Sequence, residues 1–151
     1  MPAEVISLII DRVGTGRPFG KLTNSKLRAF GATLETHVFP GVPTIFRDLR
    51  KTAAMYKGIN IEFYVISGGL QEVIEGCNLI SKNLSGVYGC QLGGDTEVGD
   101  LKYIKRCVTF TVKTRFLFEI NKGIRPGSTQ TNPYLVNKDV PPGDGRFLLR
   151  I

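Results

Sequence analysis

Ile61-Glu62-Phe63-Tyr64-Val65-Ile66-Ser67-Gly68-Gly69-Leu70-Gln71-Glu72-Val73-Ile74-Glu75-Gly76 is the stretch that decides how this chain folds. It opens as an apolar, β-branched and aromatic run, the pattern of a buried strand. It breaks at Ser67-Gly68-Gly69 and resumes with Leu70, Val73 and Ile74 at helical spacing. A strand, a glycine turn carrying a hydroxyl, then a helix is suited to holding an anion. The helix N-terminus offers unpaired N–H groups and the positive end of its dipole. The glycines let backbone approach closely, and Ser67 adds one more hydrogen bond. Ser67 is therefore expected at the C-terminal end of a strand, with Gly68 and Gly69 opening a helix. A tight turn closed by a satisfied serine has the same letters, so the context on both sides must decide.

Upstream, Phe39-Pro40-Gly41-Val42-Pro43 reads as a turn into a helix, with Pro43 suited to its first positions. Ile45, Phe46, Leu49, Ala53 and Tyr56 make one apolar face, and Gly58 is expected to end the helix. Helix, strand and helix with short links are the grammar of a parallel α/β sheet. Further back, Thr23 is placed as the N-cap of a short helix through Leu27 and Phe30 that Gly31 closes. Glu4 to Asp11, EVISLIID, is apolar enough for a strand or a buried helix, and periodicity does not separate the two. His37, the single histidine, has no metal-type ligand near it in sequence and reads as structural.

Downstream, Gly86 to Leu92 reads as a second strand and Gly93-Gly94-Asp95 as the start of a turn-rich link. Leu101 to Val112 reads as one or two further strands. Phe116, Leu117 and Ile120 form a helix face with Gly123 as C-cap. Residues 124–145 are rich in Pro, Gly, Asn and Ser and read as a loop, before a last strand in Arg146 to Ile151.

The chain's 151 residues fit one domain able to bury a core, and its 42% hydrophobic and 22% charged residues argue against disorder. No apolar run approaches the ~20 residues that span a bilayer, and no signal-peptide pattern opens the sequence. Cys77, Cys90 and Cys107 are odd in number and widely spaced, forming no metal pattern and no evident disulfide set. They read as reduced core residues of a cytoplasmic protein. The net charge is +7, with a late excess at Lys102, Lys105, Arg106, Lys113, Arg115, Lys122 and Arg125. Such a patch draws nucleic acid or phosphorylated small molecules, or is simply a solvated face. No nucleic-acid signature accompanies it, so nucleic acid is not the expected partner. A phosphorylated small molecule or inorganic phosphate is. No membrane contact is expected, and oligomerisation is left open.

Three segments together, FPGVPTIFRDLRK, IEFYVISGGLQEVIEG and VTFTVKTRFLFEINKG, resemble the haloacid-dehalogenase-like hydrolases in order and spacing over roughly residues 22–123. The first resembles the helix leading into that family's second motif. The next resembles the motif itself, with Ser67 as its hydroxyl residue. The third resembles the segment bearing the third-motif lysine, here Lys113. The resemblance implies a three-layer, mainly parallel, Rossmann-like α/β sheet. It divides the chain into an N-terminal segment 1–36, a cap remnant or displaced first strand, and a core over 37–151. It also implies phosphoryl transfer through an aspartyl-phosphate with Mg²⁺, in which Ser67, Gly68 and Gly69 hold the phosphoryl group and Lys113 offsets charge in the transition state.

Two departures limit what it implies about catalysis. The family's first motif is Asp-x-Asp-x-Thr after an apolar strand, and the nearest candidate is Asp11-Arg12-Val13-Gly14-Thr15. Asp11 is then the candidate nucleophile, but Val13 occupies the position of the acid/base carboxylate and cannot transfer a proton. In a competing alignment, LIIDRVGTGRPFGKLTNSKLRAFG resembles the helical cap segment that follows the first motif, and this fits slightly better. Gly143-Asp144-Gly145 has the letters of the late acidic motif but precedes the strand it should follow. The chain is thus expected to be the middle of a phosphohydrolase core that keeps the phosphate-holding half of the site and is impaired in catalysis. A non-catalytic phosphate-binding or protein-interaction module on the same fold is the rival expectation. Mg²⁺ is expected only in the active case.

Overall fold

A computed structural model describes residues 3–95 and 100–137. It divides the chain into two units, Met1–Cys107 and Val108–Ile151. The boundary drawn from the sequence at residue 36 falls inside the first unit.

In the first unit, helices α1 (Ala3–Ile10), α2 (Asn24–Thr33) and α3 (Val42–Ala54) precede strand β1 (Tyr64–Leu70). Short helices α4 (Gln71–Gly76) and α5 (Asn78–Ser81) lead to β2 (Gly86–Asp95) and β3 (Asp100–Arg106). The protein is therefore mixed α/β. The three strands lie in the order β1-β2-β3, with β1 and β2 parallel and β2 and β3 antiparallel. The second pairing departs from the mainly parallel sheet expected. Gly93-Gly94-Asp95 continues β2 instead of opening a long link. The connection to Asp100 is then far shorter than the dozen or more residues a parallel crossover needs.

EVISLIID resolves as helix, and Thr23 caps α2 as expected, its Oγ1 accepting from Lys26 N at 3.1 Å. Gly31 does not close α2. It is buried within it, where a Cβ would meet Val73 O at 2.0 Å, while a Cβ on Gly76 of α4 would meet Arg28 O at 2.1 Å. The two glycines let the backbones of α2 and α4 touch. Arg28 and Glu75 pair beside this crossing at 2.9 Å. Leu27 and Leu92 centre the core, with Ile9, Val13, Phe19, Leu22, Leu70, Val73 and Ile104 packed on them.

The apolar face of α3 is narrower than its sequence implies. Phe46 is buried, whereas Ile45 and Tyr56 are exposed. Phe46 meets Phe63 edge to face at 5.0 Å, and Arg50 lies over the Phe63 ring while donating to Asn83 Oδ1 and O at 2.8 and 2.7 Å. Aromatic burial and a forked guanidinium thus fasten α3 to its own unit.

In the second unit, α6 spans Phe110–Asn121. The strand expected through Val112 stops at Arg106; Val108 is buried in the link that follows, and Phe110 and Val112 lie in α6, where tertiary context overrides β-propensity. Gly123 ends α6 as expected. Ile124 N donates to Glu119 O at 2.8 Å and Gly123 N to Ile120 O at 2.9 Å, the bond pair of a Schellman motif. Phe116, Glu119 and Ile120 are buried, while Leu117 is exposed. The expected loop after Gly123 carries two 3₁₀ turns, Ser128–Gln130 and Pro133–Asn137. Gly143-Asp144-Gly145 and the expected last strand lie outside the described residues.

Candidate functional site

Ser67 lies in the middle of β1, and Gly68 and Gly69 continue the strand instead of opening the helix. Leu70 is the N-cap of α4. The ladder explains what the glycines do. Ile66 pairs with Tyr88 and Leu70 with Cys90, so Ser67, Gly68 and Gly69 stand opposite Gly89 alone. They form an enlarged β-bulge, a device that re-aims side chains next to sites. Ser67 Oγ closes it by accepting from Gly69 N at 3.0 Å. Gly89 must be glycine, because a Cβ there would lie 2.7 Å from Gly69 O and 2.8 Å from Gln71 Cα.

A polar chain runs beside the bulge. Arg106 donates through Nε to Gly89 O at 2.9 Å and through Nη2 to Gln71 Oε1. Gln71 Nε2 donates to Glu75 Oε1 at 2.6 Å, and the other oxygen of Glu75 holds Arg28. β3, β2, α4 and α2 are thereby linked through Gly89, which faces the bulge. Arg106, read in the sequence as part of a basic patch, is half-buried and holds the frame. Gln71 and Glu75 carried no signal in the sequence beyond an i,i+4 spacing. Glu72 is 4% exposed, with Oε2 lacking any hydrogen-bond partner. With only six residues, α4 adds little dipole to the site.

Asp11 is exposed on the turn after α1, not at a strand end, and Val13 packs into the core. Lys113 sits half-buried in the first turn of α6, its N–H donating to Thr109 O at 3.0 Å. Near it, Arg115 Nε and Nη2 are buried with no hydrogen-bond partner, and the guanidinium lies 5.2 Å from the Phe116 ring centroid. Buried Glu119 accepts from Gly127 N at 2.6 Å, and its other oxygen accepts from Thr129 N at 3.2 Å and from Thr129 Oγ1. It ties the 3₁₀ turn to α6. His37 is exposed, with Nδ1 3.1 Å from Thr36 Oγ1.

Among the described residues no three His, Cys, Asp or Glu stand together as a metal-ligand group. No helix among them is long and apolar enough to cross a membrane. Compared with known protein families, curated proteins and solved structures, the chain matches none.

Proposed function

We propose that the chain is a phosphate-binding relative of the haloacid-dehalogenase-like phosphohydrolases, impaired in catalysis. The observation that supports this reading is the Ser67-Gly68-Gly69 bulge in a strand that pairs in parallel with its successor through α4 and α5. Ser67 accepts from Gly69 N, and its own O–H proton is the group that would meet a phosphoryl oxygen. Lys113 is the cation this reading assigns to the phosphoryl charge. The ligand is inorganic phosphate or a phosphorylated small molecule.

A binding module that has lost turnover is favoured over an active enzyme by one placement. Val13, in the acid/base position of the only first-motif candidate, is packed among apolar side chains.

Thermal unfolding with phosphate or tungstate tests the reading. Ligand at about a hundred times its Kd stabilises by ~2.7 kcal/mol, a readily measured rise in Tm. Ser67→Ala and Lys113→Ala should each remove most of that rise. No rise in the wild type overturns phosphate binding, and an unchanged rise in Lys113→Ala removes Lys113 from the site.

A further inference from the structure

The antiparallel ladder of β2 and β3 ends with Gln91 opposite Arg106. One step beyond that last pair come Cys90 in β2 and Cys107 immediately after β3; their side chains share a hydrogen bond, and continuing the ladder by one pair would set them opposite each other. Directly opposed residues of an antiparallel pair keep their side chains on one face, with Cα atoms ~4.5–5.5 Å apart. That separation lies within the range a disulfide spans. We propose that Cys90 and Cys107 form a reversible intramolecular disulfide, closed by a low-molecular-weight disulfide such as oxidised glutathione.

The two thiols already meet. Burial first, and then the neighbouring Cys90 with which it shares a hydrogen bond, pushes the Cys107 thiol above its ordinary range. Cys90 is 2% exposed and donates to Gly68 O at 3.1 Å, whereas Cys107 is more open. Attack therefore begins at Cys107. Its thiolate displaces one glutathione thiolate from oxidised glutathione, leaving a mixed disulfide. The Cys90 thiolate then attacks the Cys107 sulfur and expels the second glutathione. Two protein thiols are oxidised, one disulfide is reduced to two thiols, and the two protons pass to the departing glutathiones. Because the thiolate is the nucleophile, the raised Cys107 makes closure slow near neutral pH and faster as pH rises. Closure ties β2 to the end of β3 and takes the S–H donor from Gly68 O, in the bulge that carries Ser67. Cys77, at the joint of α4 and α5, has no strand neighbour and serves as the control.

The full chain is incubated with oxidised glutathione at pH 7 and pH 8 and followed by intact mass and peptide mapping. The expected product is ~2 Da lighter and carries a Cys90–Cys107 link that dithiothreitol reverses. It should form roughly tenfold faster at the higher pH. Cys77→Ser should leave closure unchanged, Cys90→Ser should trap the mixed disulfide on Cys107, and Cys107→Ser, at the more open position, should abolish the mass loss. A lasting glutathione adduct on wild-type Cys107, a link that includes Cys77, or no reaction at either pH overturns the proposal.

Discussion

Gly31 and Glu119 show how much a single position decides. A Cβ on Gly31 would lie 2.0 Å from Val73 O, a backbone atom that cannot rotate away. Alanine improves helix propensity by up to ~1 kcal/mol over glycine. Forcing α2 off α4 costs about 1–3 kcal/mol, so the clash should win. Gly31→Ala is expected to lose about 1–2 kcal/mol of stability in urea unfolding, and a stabilised variant would show that α2 and α4 do not touch as described. Glu119 works by hydrogen bonding. Truncating it leaves the Gly127 and Thr129 N–H groups without their charged acceptor. Glu119→Ala should cost about 2–3 kcal/mol, and should raise amide exchange at residues 127–129 more than elsewhere. Uniform exchange across the second unit would count against the staple.

At the level of elements, the start of α2 follows simple local rules. Thr23 has extended backbone and accepts from Lys26 N, so Thr23→Ala should destabilise by ~1 kcal/mol. Thr23→Asn should restore most of that, and failure of Asn to restore it would mean that the threonine acts through packing. Non-local pairing decides the other elements. Ser-Gly-Gly interrupts an apolar run in the same letters whether it ends a strand or bulges within one. Gly89 on the neighbouring strand makes it a bulge, and Gly89 lies twenty residues away in sequence. β3 and α6 divide one β-branched stretch between them for a similar reason. The ladder with β2 runs out at Arg106, and α6 takes the chain from Phe110.

For the molecule as a whole, the phosphate reading separates binding from turnover. Binding, in that proposal, needs donors and positive charge, the roles it assigns to Ser67 and Lys113. Turnover, in the family that the proposal invokes, needs a nucleophile on a strand end and an acid/base partner. Asp11 follows a helix, and Val13, partly buried, packs against the core. Loss of a positioned acid/base group alone costs ~10²–10⁴-fold in rate. Steady-state hydrolysis of an aryl phosphate, with and without Mg²⁺, is expected near background, and Asp11→Asn should not change it. Robust Mg²⁺-dependent hydrolysis that this variant abolishes would make Asp11 the nucleophile and sink the impaired reading.

The sequence by itself determined the features that depend on near neighbours. The Thr23 cap, the turn into α3, the Gly123 terminus of α6 and the α/β succession around Ile61–Gly76 were all legible because each rests on contacts within a few residues. Tertiary structure alone decided what depends on partners distant in the chain. EVISLIID became a helix, with Ile9 packed on the Leu27 and Leu92 core. Gly31 became a crossing point because α4 lies against it. Gly68 and Gly69 became a bulge because Gly89 faces them. Arg106 became a frame residue because Gln71 and the Gly89 carbonyl meet it. Cys90 and Cys107 became hydrogen-bonded neighbours because the ladder of β2 and β3 ends one residue short of each. In each case the deciding atom belongs to another element, and local periodicity carries no record of it.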